Sequence, residues 1–167
     1  MKTLLTSFIL LTFISCDQPV STKTERENEP DIYNVAESDV RMNNAIAKAN
    51  KTFKQFENTI QNDTNGRYYY SIKQKFSTPE GLGEHIWVGQ ITYVDNQYIG
   101  VVGNEPLNTT EVRLGETITI DKTRISDWMI VDSTRKAKGG FTIRAIRDGL
   151  PPKEQQELDN ELGLIFE

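Results

Sequence analysis

The sequence predicts an α+β domain: a long N-terminal helix packed on a strongly bent five- to six-stranded antiparallel sheet or small partly open barrel, with a short C-terminal helix. Three observations predict it. Met42, Ile46, Ala49, Phe53, Phe56 and Ile60 recur at helical spacing along residues 38–61, a single apolar stripe of the kind that faces a core. From Tyr68 the period drops to two, with Tyr68, Tyr70, Ile72 and Phe76 alternating against Tyr69, Ser71, Lys73 and Lys75, the pattern of a half-buried strand. Turn signals then return roughly every 8–12 residues and divide the rest of the chain into short strands.

Residues 1–15 read as an export signal. Lys2 supplies a positive start, residues 4–14 an apolar stretch, and Ser15 a small residue at the cleavage point. That apolar stretch, about 11 residues, is shorter than the ~20 a spanning helix needs, so the segment is a processed leader. Cys16 follows and is the only cysteine. Phe13-Ile14-Ser15-Cys16 resembles the lipobox of bacterial lipoproteins, with Phe13 standing where Leu is usual. The resemblance implies cleavage before Cys16 and a diacylglyceryl group on its sulfur. Two or more acyl chains on one residue suffice for stable anchoring. The competing reading is an ordinary secretory signal with an incidental cysteine. With no second cysteine, no internal disulfide forms, and the core alone must hold the domain in an oxidising compartment.

Residues 16–37 are expected to be the lipidated Cys16 and a flexible tether. The stretch is polar, contains Pro19 and Pro30, and shows no apolar period before Ile32-Tyr33. As a flexible chain it spans roughly 25 Å, enough to let the domain stand off a membrane. The domain itself is assigned to residues 38–162. Ser38 is the expected N-cap of the helix, with Asp39 against its positive end; Asn62-Asp63-Thr64-Asn65-Gly66 stops it. Residues 85–94 and 98–103 form a hairpin across Asp95-Asn96-Gln97. Further strands are expected at 116–121, 127–131 and 141–146, the last with Phe141, Ile143 and Ala145 on one side and Thr142 and Arg144 on the other. Pro151-Pro152-Lys153-Glu154 opens a second helix, with Pro152 in its first turn, and residues 163–167 are left as a C-terminal tail. The chain carries no internal repeat.

Composition narrows the function classes. The chain has 24 acidic and 19 basic side chains, a net charge of −5, and becomes one unit more negative once Lys2 leaves with the leader. A mildly acidic domain lacks the basic stripe of a nucleic-acid binder and the polybasic segment of a membrane-docking surface. The apolar stripe on the helix is more commonly core than a partner groove.

Several short words mark the strand region: Glu84-His85-Ile86-Trp87, Asn104-Glu105-Pro106, Gly115-Glu116-Thr117-Ile118, Ile125-Ser126-Asp127-Trp128-Met129 and Gly139-Gly140-Phe141-Thr142-Ile143-Arg144. Their order and spacing resemble the YegJ-like family, a bacterial family of unknown function numbered 2314, over about residues 38–158. The resemblance implies a small α+β domain, often exported or lipid-anchored. It implies no reaction, cofactor or catalytic residue.

Candidate chemistry is sparse. Glu84-His85 pairs a carboxylate with the only histidine, which invites an acid–base or metal reading. Neighbours on a strand point to opposite faces, however, and a metal wants three or four ligands. No metal and no cofactor are expected. Ser126, Asp127 and His85 supply the residue types of a triad, but no nucleophile elbow surrounds Ser126. Gly81 and Gly83 lack the helix and the Lys-Ser/Thr ending of a phosphate loop. Gly139-Gly140 reads as a bulge or turn needing positive φ. Trp128 is assigned to the core and Asp127 to the opposite face. Arg144 is expected either to pair with Asp127 across strands or to hold a carboxylate or phosphate. Trp87 is expected to share its face with His85, Ile91 and Tyr93, as a recognition surface does.

These readings favour a membrane-anchored binding or accessory module of the bacterial envelope. Its expected contact surface is the concave sheet face and the loop at residues 79–83, carried by Glu84, His85, Trp87, Asn104, Asp127 and Arg144. The expected partner is an envelope protein or a small anionic ligand, not nucleic acid, with the membrane engaged through lipid on Cys16. Two other classes compete: an envelope hydrolase using Glu84, His85 and Asp127, and an inhibitor or immunity-type protein. The hydrolase requires its groups to converge in one cleft.

Overall fold

A computed structural model describes residues 22–24, 32–34, 39–81 and 83–166. The expected leader, Cys16, Ser38 and most of the expected tether lie outside the described residues. Where a flexible tether is expected, β1 (Thr22–Thr24) and β2 (Ile32–Asn34) pair antiparallel, Thr22 opposite Asn34.

The long helix, α1, runs Val40–Asn62. Its N-cap is Asp39, whose carboxylate accepts the Arg41 and Met42 backbone N–H groups at 2.8 and 3.2 Å, satisfying two of the donors a helix start leaves unpaired. The predicted stripe is the buried one. Ala49 and Phe56 belong to the main core, and Phe53 and Ile60 pack against it.

The sheet is open, mixed and seven-stranded, with order β6-β5-β4-β3-β7-β8-β9. Its strands are β3 (Tyr68–Ser77), β4 (Gly83–Val94), β5 (Gln97–Val102), β6 (Thr117–Thr119), β7 (Ile125–Asp132), β8 (Lys136–Gly139) and β9 (Ile165–Phe166). All neighbours are antiparallel except β8 and β9. The two edge strands, β6 and β9, do not pair, so the barrel alternative is excluded. Asp95 and Asn96, at φ 48° and 64°, form the two-residue turn between β4 and β5 whose left-handed backbone matches strand twist.

α1 covers one sheet face. Tyr70, Ile72, Val88, Ile91, Tyr98, Trp128 and Ile130 meet it there. Polar groups fasten the layers as well. The Trp128 indole N–H donates to the Ala49 carbonyl at 3.0 Å, the Tyr98 hydroxyl donates to Glu57 at 3.1 Å, and the Tyr70 hydroxyl to Asp63 at 3.0 Å. A smaller cluster of Phe76, Ile86, Val102 and Val112 extends the core under the loop between β5 and β6.

The C-terminal third differs from expectation. Residues 141–146 are not a strand: α2 spans Phe141–Arg147. Its N-cap, Gly140, has no side chain to cap with, and Asp127 reaches in from β7 to do so. The strand that precedes it, β8, follows a turn in which Asp132 accepts from Thr134 and Lys136. The second C-terminal helix, α3 (Pro152–Leu162), starts as Pro152 predicts. Part of the expected tail is β9, parallel to β8 with Phe166 opposite Ala137. The chain from β8 through α2 and α3 to β9 is thus a helical crossover, as parallel strands require.

Candidate functional site

Cross-strand register assembles the face away from α1. Lys73 lies opposite Trp87 on β4 and opposite Asp127 on β7, and Lys75 lies opposite His85. Alternation from the buried Ile72, Val88 and Trp128 sends Lys73, Trp87 and Asp127 to the other side of the sheet. The Lys73 ammonium sits 5.5 Å from the Trp87 ring centroid, within cation–π range.

Beneath this pair lies a buried polar chain. Lys73 Nζ donates to Thr142 Oγ1 at 3.3 Å. The Thr142 hydroxyl donates to Asp127 Oδ2 at 2.7 Å. The same carboxylate accepts the backbone N–H of Phe141 at 3.2 Å, of Thr142 at 2.8 Å and of Trp128 at 2.8 Å. Asp127 and Thr142 are fully buried. Asp127 therefore caps α2 from another strand. Burial pushes the Asp127 carboxyl up, while Thr142, Lys73 and the Trp128 N–H pull the other way. Burial also holds the Lys73 amine below its ordinary value, against the attraction of Asp127.

The other candidates separate from this group. Glu84 lies opposite Phe76, on the α1 side of the sheet. Its carboxylate accepts three successive N–H groups, Leu107 at 2.7 Å, Asn108 at 2.9 Å and Thr109 at 2.8 Å, and so fixes the loop between β5 and β6. Asn104 Oδ1 accepts the Trp87 N–H at 3.3 Å, continuing β4's hydrogen bonding into that loop. Arg144 stands on α2, not on a strand. Its guanidinium donates to the carbonyls of Gly139 at 3.0 Å and Ala137 at 3.3 Å and lies 4.8 Å from the Phe166 ring centroid. It borders a cleft of about 450 Å³ with Arg147, Asp159 and Phe166, where Arg147 and Asp159 are joined by two hydrogen bonds of 2.6 and 2.7 Å.

Thus His85, Trp87 and Asp127 share a face, with Asp127 buried beneath it, whereas Glu84, Asn104 and Arg144 serve other parts. A hydrolytic site from Glu84, His85 and Asp127 is not assembled, because Glu84 is on the opposite face. His85 and Asp127 sit two strands and two residues apart, about 12 Å between Cα atoms on sheet spacings. Trp87 also does not share its face with Ile91 and Tyr93. The β4–β5 register shifts between Gly89 and Thr92, and Gln90 has φ 51°. This bulge inserts one residue and turns Ile91 and Tyr93 to the core side. Lys73 and Thr142 were missed as site residues. The polar side of β3 marks Lys73 in the sequence; nothing local marks Thr142, whose role depends on a tertiary cap. Among the described residues no cluster of His, Cys, Asp or Glu is placed to hold a metal, and no helix is long and apolar enough to cross a membrane.

Fold and face together define a small α+β domain with one helix-covered and one uncovered sheet face. The family described as an uncharacterized protein conserved in bacteria (DUF2314) matches residues 39–166, and the chain belongs to it. It is 35% identical over 143 residues to a putative ankyrin repeat protein of Neisseria meningitidis serogroup B, a match covering 81% of this chain and 56% of that protein. It is 38% identical over 85 residues to the uncharacterized protein YegJ of Escherichia coli K12, covering 51% of this chain and 55% of that protein. The matches thus span little more than half the length of these curated relatives. No solved structure matches the chain.

Proposed function

We propose that the protein is a lipid-anchored binding or accessory module of the bacterial envelope that recognises its partner through the uncovered sheet face. The observation that carries this reading is the alignment of Lys73, Trp87 and His85 on a face that α1 leaves free. Half-buried Trp87, Val101 and Met129 occupy that face with exposed Tyr69. An aromatic anchor ringed by polar groups is the usual make-up of a recognition surface. Affinity capture from native membranes, identified by mass spectrometry, tests the reading. Trp87→Ala is expected to lose the captured partner while still unfolding cooperatively in urea. Retention of every partner by a folded Trp87→Ala protein refutes the assignment of this face.

The anchor is tested separately. Cys16→Ser is expected to leave the precursor uncleaved and without incorporated acyl chains, as radiolabelled fatty acid and gel mobility would show. Normal processing and normal membrane retention of that variant would remove the lipoprotein reading.

A further inference from the structure

Asn65-Gly66 is the only place in the chain where an asparagine precedes a glycine, and the fold leaves both residues unguarded. They lie in the short turn between the end of α1 at Asn62 and the start of β3 at Tyr68, and both are exposed. Helices and strands hold a peptide N–H in their hydrogen-bond ladders. The Gly66 N–H has instead the Asp63 carbonyl at 3.4 Å, longer than the roughly 2.7–3.2 Å usual for an N–H···O bond. Among the described residues the Asn65 amide has no hydrogen-bond partner, so it is free to turn toward that nitrogen. Gly66 has no side chain to crowd the approach. At φ 60° a Cβ there would meet nothing within 4 Å, so a ring closing on its nitrogen has open space.

Comparable positions are held. Asp148-Gly149 is the only Asp-Gly in the chain, but the Gly149 N–H donates to the Ile146 carbonyl at 2.9 Å, and a Cβ at Gly149 would sit 2.6 Å from the Arg41 guanidinium. The Asn62 amide donates to the Asn58 carbonyl at 2.7 Å. Asn96 accepts the Tyr93 hydroxyl and Asn104 the Trp87 N–H.

We propose that Asn65-Gly66 is a site of water-driven self-modification in the folded protein, and that its isoaspartyl product loosens the joint between α1 and β3. The Gly66 nitrogen gives up its proton and attacks Asn65 Cγ. A C–N bond forms, the Cγ–Nδ2 bond breaks, and ammonia leaves with that proton, giving a five-membered succinimide. Water then opens either ring carbonyl. Attack at Cγ restores the ordinary backbone with aspartate at position 65. Attack at the α-carbonyl leaves isoaspartate, whose main chain runs through the side-chain carbons. Both products add one negative charge, and isoaspartate also adds one carbon to the main chain. That carbon falls inside the loop that Asp63 closes, where its carboxylate accepts the Arg67 N–H at 3.0 Å, the Tyr68 N–H at 3.2 Å and the Tyr70 hydroxyl at 3.0 Å. A chain lengthened between residues 65 and 66 shifts both backbone donors away from that carboxylate, and the new charge beside it repels it further.

The test incubates the folded full chain at mildly alkaline pH in heavy-oxygen water and maps its peptides by mass spectrometry, beside a sample held unfolded in urea. Asn65 is expected to take up heavy oxygen at least about tenfold faster than any other asparagine of the folded chain, mostly as isoaspartate that an isoaspartyl methyltransferase labels. A folded chain that keeps Asn65 intact while the unfolded one converts it, or converts it no faster than its other asparagines, overturns the site. Gly66→Ala crowds the ring closure and is expected to slow conversion at least about tenfold; an undiminished rate also overturns it. The isoaspartyl form is separated by its extra charge and its amide exchange is measured. The Arg67 and Tyr68 amides are expected to lose protection while the β4–β5 hairpin keeps its own. Unchanged protection at Arg67 and Tyr68 overturns the loosening of the joint.

Discussion

Asp127→Ala is expected to destabilise the domain by about 3–5 kcal/mol, because it leaves several buried donors unsatisfied at once, each costing about 1–3 kcal/mol. The carboxylate takes N–H groups from Trp128, Phe141 and Thr142 and the Thr142 hydroxyl. Alanine strands all of these donors where water does not reach and removes the negative charge that Lys73 feels across the Thr142 hydroxyl. Asp127→Asn keeps an acceptor oxygen for the start of α2 and should cost less. Lys73→Met in the Asp127→Ala background should recover part of the loss, since the orphaned charge is then gone; a double-mutant cycle isolates that coupling. Urea unfolding measures all three. A loss below about 1 kcal/mol for Asp127→Ala, the size of an ordinary exposed cap, would mean that α2 holds its place without the carboxylate. Amide exchange should show where the damage lies, with α2 losing protection before the β3–β4 pair.

The same residue shows why part of the fold escaped the sequence. The stripe on α1 was legible because a helix of 23 residues repeats its period several times. The β4–β5 hairpin was legible because Asp95-Asn96 is a local turn signal. Residues 141–146 offer too few positions to separate period two from period 3.6, and the deciding contact comes from Asp127, fourteen residues before Phe141. The bulge at Gln90 was equally silent. A single left-handed residue that is not glycine leaves no mark, yet it reverses the facing of Ile91 and Tyr93. β8 was missed because Lys136-Ala137-Lys138 reads as exposed and polar, and β9 because it has only two residues. Among the candidate site residues, Trp87 and His85 share one face of the sheet, as strand alternation requires. Glu84 was separated from His85 by simple alternation, which the sequence did announce. Arg144 moved because its element changed.

Phe56→Ala is expected to cost about 3–5 kcal/mol, the range for emptying a buried aromatic site. Phe56 is 0% exposed and is the hub that joins α1 to the sheet. Its ring lies 5.3 Å from Phe53, 5.6 Å from Tyr70, 5.9 Å from Tyr98 and 6.0 Å from Trp128, centroid to centroid. Four rings from one helix and three strands cannot all close on the space it leaves, because Trp128 is also tethered to the Ala49 carbonyl and Tyr98 to Glu57. Phe56→Leu, which refills most of the volume, should recover much of the loss. Chemical denaturation with a single cooperative transition is the measurement; a cost under about 1 kcal/mol would show that α1 collapses onto the sheet without this ring. The position also separates the two sides of the sheet. Phe56 touches only the covered face, so Phe56→Ala, held below its lowered unfolding midpoint, should bind at the uncovered face as the native chain does. A Phe56→Ala protein that is folded but no longer binds would place recognition on α1 instead.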